Sequence, residues 1–185
     1  MLQWCAAIAE IATILASVTP SSPISEQFLS SIVWNDGEPA NLHMSNAIAV
    51  GFTFLMLGSW IRLMTFRYLG QFFRFEASIQ KDHELIDYGP YAVVRHPGYT
   101  GTMLIFIGWF PWQLGRGSWV VESGFGSTVL GRTLLLAYIN LFIFGLSYIL
   151  LTRMAKEDVA LRSQFGKKWD DWAKKVPYSI FPGIY

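Results

Sequence analysis

Residues Asn46–Leu69 read NAIAVGFTFLMLGSWIRLMTFRYL, an apolar stretch in which only Arg62 and Arg67 are charged. As a helix rising about 1.5 Å per residue it reaches roughly 36 Å, more than the ~30 Å hydrocarbon layer of a bilayer. Within it Ala47, Gly51, Leu55, Gly58 and Arg62 recur every three or four positions. That spacing makes one helix face whose small residues let a second helix approach closely. Arg62 continues this seam, so its guanidinium is expected between helices. Snorkelling to the interface is the alternative, and for Arg67, on another face and nearer the end, it is the expected fate.

Three further apolar runs flank this span: Met1 to Val18, Gly98 to about Leu114, and Thr128 to Leu151. The expectation is an all-α, multi-pass membrane helix bundle of about four transmembrane spans, forming a single integral-membrane domain over residues 1–185. Met1 to Val18 reads as a retained span, because the basic start of a signal peptide is missing. Pro111 is placed to bend or end the third span.

Composition agrees with this class. The 185 residues are 52% hydrophobic and 15% charged, with a mean hydropathy of +0.34, against nearer a quarter charged in soluble domains. A formal net charge of +1 gives no reason to expect a nucleic-acid partner. The single cysteine, Cys5, excludes an intramolecular disulfide framework and a multi-thiolate zinc site. All fourteen basic residues lie between Arg62 and Lys175. Lys and Arg near span ends stay cytosolic, so the base-free stretch 19–45 is expected on the far side. The segment 70–97 and the tail after 151 then share the cytosolic side with the N-terminus, and the weak spot of this arrangement is the 115–127 loop, which carries Arg116. Pro20, Pro23, Pro39 and Asn35-Asp36-Gly37 make 19–45 an expected extramembrane loop.

In the tail, Leu161, Phe165, Trp169, Trp172 and Val176 form one apolar stripe opposite a charged face. This suits a C-terminal amphipathic helix lying at the interface, weakened or bent at Gly166. Glu157 continues the stripe four residues earlier. A carboxylate there needs a partner, either Arg153 one turn back or a cationic ligand. Asp158 is turned away and could be solvated.

The third polar cluster runs from Lys81 through His83, Glu84, Leu85, Gly89, Pro90 and Tyr91 to Arg95, His96, Pro97 and Tyr99. A Gly- and Pro-shaped connection rich in donors, leading into a span, suits a polar ligand. It makes a poor metal site, since His83 and His96 are far apart in sequence without a thiolate, and no metal is expected. Gly124-Phe125-Gly126 lacks the strand and third glycine of a dinucleotide fingerprint.

Gly89-Pro90-Tyr91-Ala92-Val93-Val94-Arg95-His96-Pro97-Gly98-Tyr99-Thr100-Gly101 resembles the signature of integral-membrane methyltransferases of the isoprenylcysteine carboxyl methyltransferase (protein-S-isoprenylcysteine O-methyltransferase) family. His83-Glu84-Leu85 stands where that family has His-x-Leu. Arg62 followed by Leu69-Gly70-Gln71-Phe72-Phe73 is similar to its arginine-containing helix end. Arg153, Glu157-Asp158, Leu161, Phe165-Gly166, Trp169, Trp172 and Val176-Pro177 follow its tail, whose usual pair is Glu-Glu. The resemblance covers about residues 58–182 and suggests a methyltransferase-like core at about 46–182. The ending Val176 to Tyr185 is also similar to the tails of membrane sterol reductases, which use NADPH; their Arg-His pair is usually followed by x-Asn-Tyr instead of Pro97-Gly98-Tyr99.

The resemblance implies an S-adenosylmethionine-dependent carboxyl O-methyltransferase. His83, Leu85, Gly89, Tyr91, His96, Pro97, Tyr99 and Glu157 would hold the cofactor, with Glu157 pairing with its ammonium. Arg62, Arg95 and Arg153 are the candidates for binding the acceptor carboxylate. The implied partners are the bilayer and a lipophilic acceptor such as a prenylated cysteine or prenylated protein C-terminus. In a eukaryote the implied location is the endoplasmic reticulum membrane with the active site facing the cytosol. Phosphatidylethanolamine-type N-methylation, a sterol-reductase-like NADPH enzyme and a non-catalytic membrane protein are the alternatives.

Overall fold

A computed structural model describes residues 2–18, 22–35, 37–70 and 84–183, and every regular element among them is a helix. Helix α3 covers Asn46–Leu69, the range its hydropathy predicts. It is preceded by α1 (Leu2–Val18) and α2 (Pro23–Ile32) and followed by α4 (Pro97–Leu114), α5 (Trp119–Glu122), α6 (Val129–Phe165) and α7 (Lys167–Lys175). Helices α3 and α6 are long and apolar enough to cross a membrane, and α1 holds a shorter apolar run, Ala6–Val18. Leu134, Leu141, Phe144, Tyr148 and Leu151 stand exposed along α6, a surface that suits lipid.

Two expectations are corrected. Part of the stretch 19–45 is helical, because Pro23 occupies the first helical position, where its missing N–H costs nothing and its fixed φ favours the turn. The fourth apolar run does not end its helix at Leu151. α6 continues to Phe165 because Lys156, Glu157, Ala160, Leu161 and Arg162 are good helix formers with no proline or glycine among them. The break comes at Gly166, which takes φ +51°, a left-handed value that a side chain would strain. The tail stripe is thereby divided, with Leu161 and Phe165 on α6 and Trp169 and Trp172 on α7.

The chain forms two compact units, residues 1–54 with 107–141 and residues 55–106 with 142–185. In the first, α1 packs on α2, α5 and the short 3-10 turn Pro39–Asn41. The Trp34 N–H donates to the Ser123 carbonyl at 2.8 Å, and the Trp34 ring meets Trp119 and Phe125 edge-on at 6.1 and 5.3 Å. Gly51 faces the Gly108 carbonyl so closely that a Cβ would lie 2.6 Å from it. Pro111 lies inside α4 without ending it.

The second unit repeats this close approach lower on the seam. A Cβ at Gly58 would lie 2.5 Å from the Gly101 carbonyl oxygen, and one at Gly101 would lie 2.6 Å from that of Gly58. Backbone-to-backbone packing of this kind needs residues without side chains. Around it gather the end of α3, the start of α4, the lower part of α6, α7 and the tail. Leu85, Trp172 and Val176 form a buried cluster covered by Tyr91, Phe165 and Trp169. The polar cluster therefore has an apolar floor supplied by the tail.

Candidate active site

The second unit gathers nearly all the polar residues singled out in the sequence. Arg62, on α3, donates from Nη1 to the Gly98 carbonyl at 3.3 Å and to Thr102 Oγ1, both on α4. Its guanidinium also lies over the Phe66 ring, 5.1 Å from the centroid. It is thus held against α4 by the small-residue crossing one turn earlier, and does not extend along the helix toward an end.

Arg95 and His96 precede α4, whose first residue, Pro97, is suited to a helix start. Both are buried, Arg95 at 9% exposure and His96 at 5%. A buried guanidinium requires several acceptors. Arg95 finds them in the tail, donating from Nη1 to the Val176 and Pro177 carbonyls at 3.2 and 2.6 Å and from Nη2 to Ser179 Oγ at 2.7 Å. The backbone follows the same path, with the Arg95 N–H on the Tyr178 carbonyl at 2.9 Å and the His96 N–H on that of Ser179 at 2.8 Å. Thr100 Oγ1 donates to the Ile180 carbonyl at 2.5 Å. Residues 176–180 are in effect a strap fastened to residues 95–100.

Two carboxylates on α6 face this strap. His96 Nε2 lies 3.1 Å from Asp158 Oδ1, and since a carboxylate only accepts, Nε2 carries the proton. Asp158 Oδ2 also lies 3.8 Å from Arg95 Nε. Asp158 is therefore paired while a quarter exposed, and the shorter side chain still reaches the histidine. Glu157 Oε2 lies 3.7 Å from His96 Nδ1, while Oε1 accepts from Tyr99 Oη at 2.6 Å and lies 3.8 Å from Arg153 Nη2. Both partners considered for Glu157 from the sequence remain open to it, since a carboxylate has about four acceptor positions.

The wall opposite is aromatic. The Tyr91 carbonyl accepts from Trp172 Nε1 at 3.2 Å. Burial first, then the nearby Glu157 charge and the Tyr99 phenol, push the Tyr91 phenol well above its ordinary value, so it stays protonated as a donor. Gly89 takes φ +63° and lies where a Cβ would strike the Tyr68 ring, so only glycine fits this turn. Leu85 is buried in the apolar floor. His83 lies outside the described residues.

Sequence reasoning missed Ser179 and Trp169. Ser179 looks like ordinary tail polarity until Arg95 is seen to need acceptors. Trp169 reads as part of a stripe, yet its Nε1 is buried with no hydrogen-bond partner among the described residues. A buried indole N–H left in this state suits a ligand atom that accepts. No group of metal-ligating side chains is found among the described residues.

The family model for phospholipid methyltransferases matches residues 46–168. The protein-S-isoprenylcysteine O-methyltransferase of Schizosaccharomyces pombe is 32% identical over 129 residues, covering 69% of this chain and 46% of that protein. A probable protein-S-isoprenylcysteine O-methyltransferase of Oryza sativa subsp. indica is 27% identical over the same length, covering 69% of this chain and 57% of its own. A Delta(14)-sterol reductase of Ascobolus immersus is 32% identical over 91 residues, covering 46% of this chain and only 20% of its own. The chain thus spans about half the length of the methyltransferases it matches, and no solved structure matches it. With the matched stretch running from α3 through both carboxylates, the chain belongs to the phospholipid methyltransferase family of membrane enzymes, and within it is similar to the isoprenylcysteine carboxyl methyltransferases.

Proposed function

We propose that the chain is an S-adenosylmethionine-dependent methyltransferase acting on the C-terminal carboxylate of an isoprenylated cysteine. The observation that carries this reading is Glu157, a partly exposed carboxylate held by Tyr99 Oη at 2.6 Å between aromatic side chains. The donor set fits the cofactor: an anion for its ammonium, tyrosine rings for a cationic sulfur, and the unpartnered Trp169 N–H for a heteroatom. His96, Tyr99, Tyr91 and Glu157, on the floor made by Leu85 and Trp172, would hold it. Gly89 and Pro97 would shape the backbone around it.

When bound, S-adenosylmethionine supplies a methyl group on a positively charged sulfur. A carboxylate can accept that group without losing a proton, so the chain's task is alignment and exclusion of water, not general base catalysis. Arg62 and Arg153 are the guanidiniums suited to orienting the acceptor. Arg95 has its Nη donors engaged by the tail, and its part would be to hold the strap against the carboxylates.

Phosphatidylethanolamine N-methylation is the second reading, favoured by the matching family model. An amine acceptor must lose a proton, and His96 and Glu157, whose Nδ1 and Oε2 lie 3.7 Å apart, are the candidates to receive it. The test is transfer of radiolabel from S-adenosylmethionine by the purified chain to a prenylcysteine, an aminophospholipid and a sterol. Label on the prenylcysteine alone is expected, and label on the aminophospholipid alone would replace this reading with the second.

The proposed topology has four spans, with both termini and the site on the cytosolic side. With Cys5 replaced, single cysteines at Ser22 and Ser163 should label from opposite sides. Labelling from one side would overturn it.

A further inference from the structure

The first unit contains a cavity that the proposed function does not use. Glu10 is the only charged side chain of α1. It lines a cavity of about 310 Å³ whose other lining residues include Ile14, Leu42, His43, Ile48, Phe52 and Trp112. Among the described residues Glu10 makes no hydrogen bond or ion pair. A lone acid among apolar side chains is costly in a spanning helix, and such residues generally face a partner. Among the described residues none is supplied. No base occurs before Arg62, and the two of this unit, Arg116 and Arg132, are exposed and line no part of the cavity.

The chemistry of the two polar walls defines the missing partner. His43 Nδ1 lies 2.7 Å from the Asn41 carbonyl, which can only accept, so that nitrogen donates to it. The cavity thus offers the Glu10 carboxyl group and the His43 imidazole and, among the described residues, no lysine or arginine. Phe52 and Trp112, 5.6 Å apart, add aromatic faces that favour a cation. A volume of 310 Å³ is at the lower end of the range of small-molecule sites, a size that suits a ligand with one short hydrocarbon chain.

We infer that this cavity is a binding site for a single-chain primary alkylamine, with the ammonium between Glu10 and His43 and the chain among the apolar walls. The inference is independent of the methyltransferase reading, because the two sites share no residue.

The test uses the whole chain in phosphatidylcholine nanodiscs and a decylamine carrying a photoreactive diazirine. Crosslinks are expected in peptides containing Leu42, Ile48 and Trp112. Unlabelled decylamine should compete at least tenfold better than decanol or phosphatidylethanolamine. Glu10→Gln should cut labelling at least tenfold with an unchanged size-exclusion profile. If that variant does not fold, Ile14→Trp, which keeps the acid and fills the space, should abolish labelling instead. Equal competition by decanol, equal competition by phosphatidylethanolamine, or crosslinks spread along α6 would each overturn the proposal.

Discussion

Arg95 and Arg62 stand at the same end of the bundle and occupy opposite situations. Arg95 is buried at the head of α4 with Nη1 and Nη2 committed to Val176, Pro177 and Ser179, more than eighty positions away in sequence. Arg62 is half-buried on a helix face and donates from one nitrogen to a single turn of α4. The first arginine closes a structure and the second presents a charge. An arginine motif read in sequence does not distinguish these uses, since the difference lies in how many acceptors the fold brings to each guanidinium.

The contrast predicts a graded series. Arg95→Met should have the largest effect, costing about 3 to 5 kcal/mol of stability, because it strands buried acceptors and removes one partner of Asp158. Thermal unfolding in detergent measures this, and a shift no larger than that of an exposed substitution would break the comparison. Arg62→Lys should leave stability within about 1 kcal/mol while lowering carboxylate methylation roughly 10²-fold, since lysine keeps the charge but loses the planar fork that positions an acceptor. Turnover at saturating S-adenosylmethionine separates this from snorkelling, which a lysine would perform equally well. Gly58→Ala should have a smaller effect on stability, about 1 to 3 kcal/mol, by forcing α3 away from the Gly101 carbonyl. If the Arg62 position depends on that crossing, this variant should also lower turnover, and an unaffected rate would separate the seam from the site.

Legibility in the sequence followed the range of the interactions. α3 was readable to the residue because hydropathy and helix end together at Leu69. The seam was readable because Gly51 and Gly58 follow a helical period. α6 was not bounded correctly, since hydropathy stops at Leu151 whereas helix propensity continues to Phe165. α2 was hidden by the prolines of 19–45, one of which, Pro23, starts the helix it was expected to prevent. Glu157 was conspicuous as an acid in an apolar stripe. The roles of Asp158, Ser179 and the Arg95 donors could not be seen, because they arise from a tail that returns to the head of α4. The pairing of Arg95 with backbone carbonyls has no residue-type signature at all.

The central claim is that Glu157 marks the cofactor site of a methyltransferase. Calorimetric binding of S-adenosylmethionine and of NADPH to the purified wild-type chain and to Glu157→Gln tests it most directly. The wild type should bind S-adenosylmethionine and not NADPH, and Glu157→Gln should weaken that binding by about 1.5 to 3 kcal/mol, the range for a hydrogen bond to a charged group. Binding of NADPH alone, or S-adenosylmethionine affinity unchanged by Glu157→Gln, would contradict it.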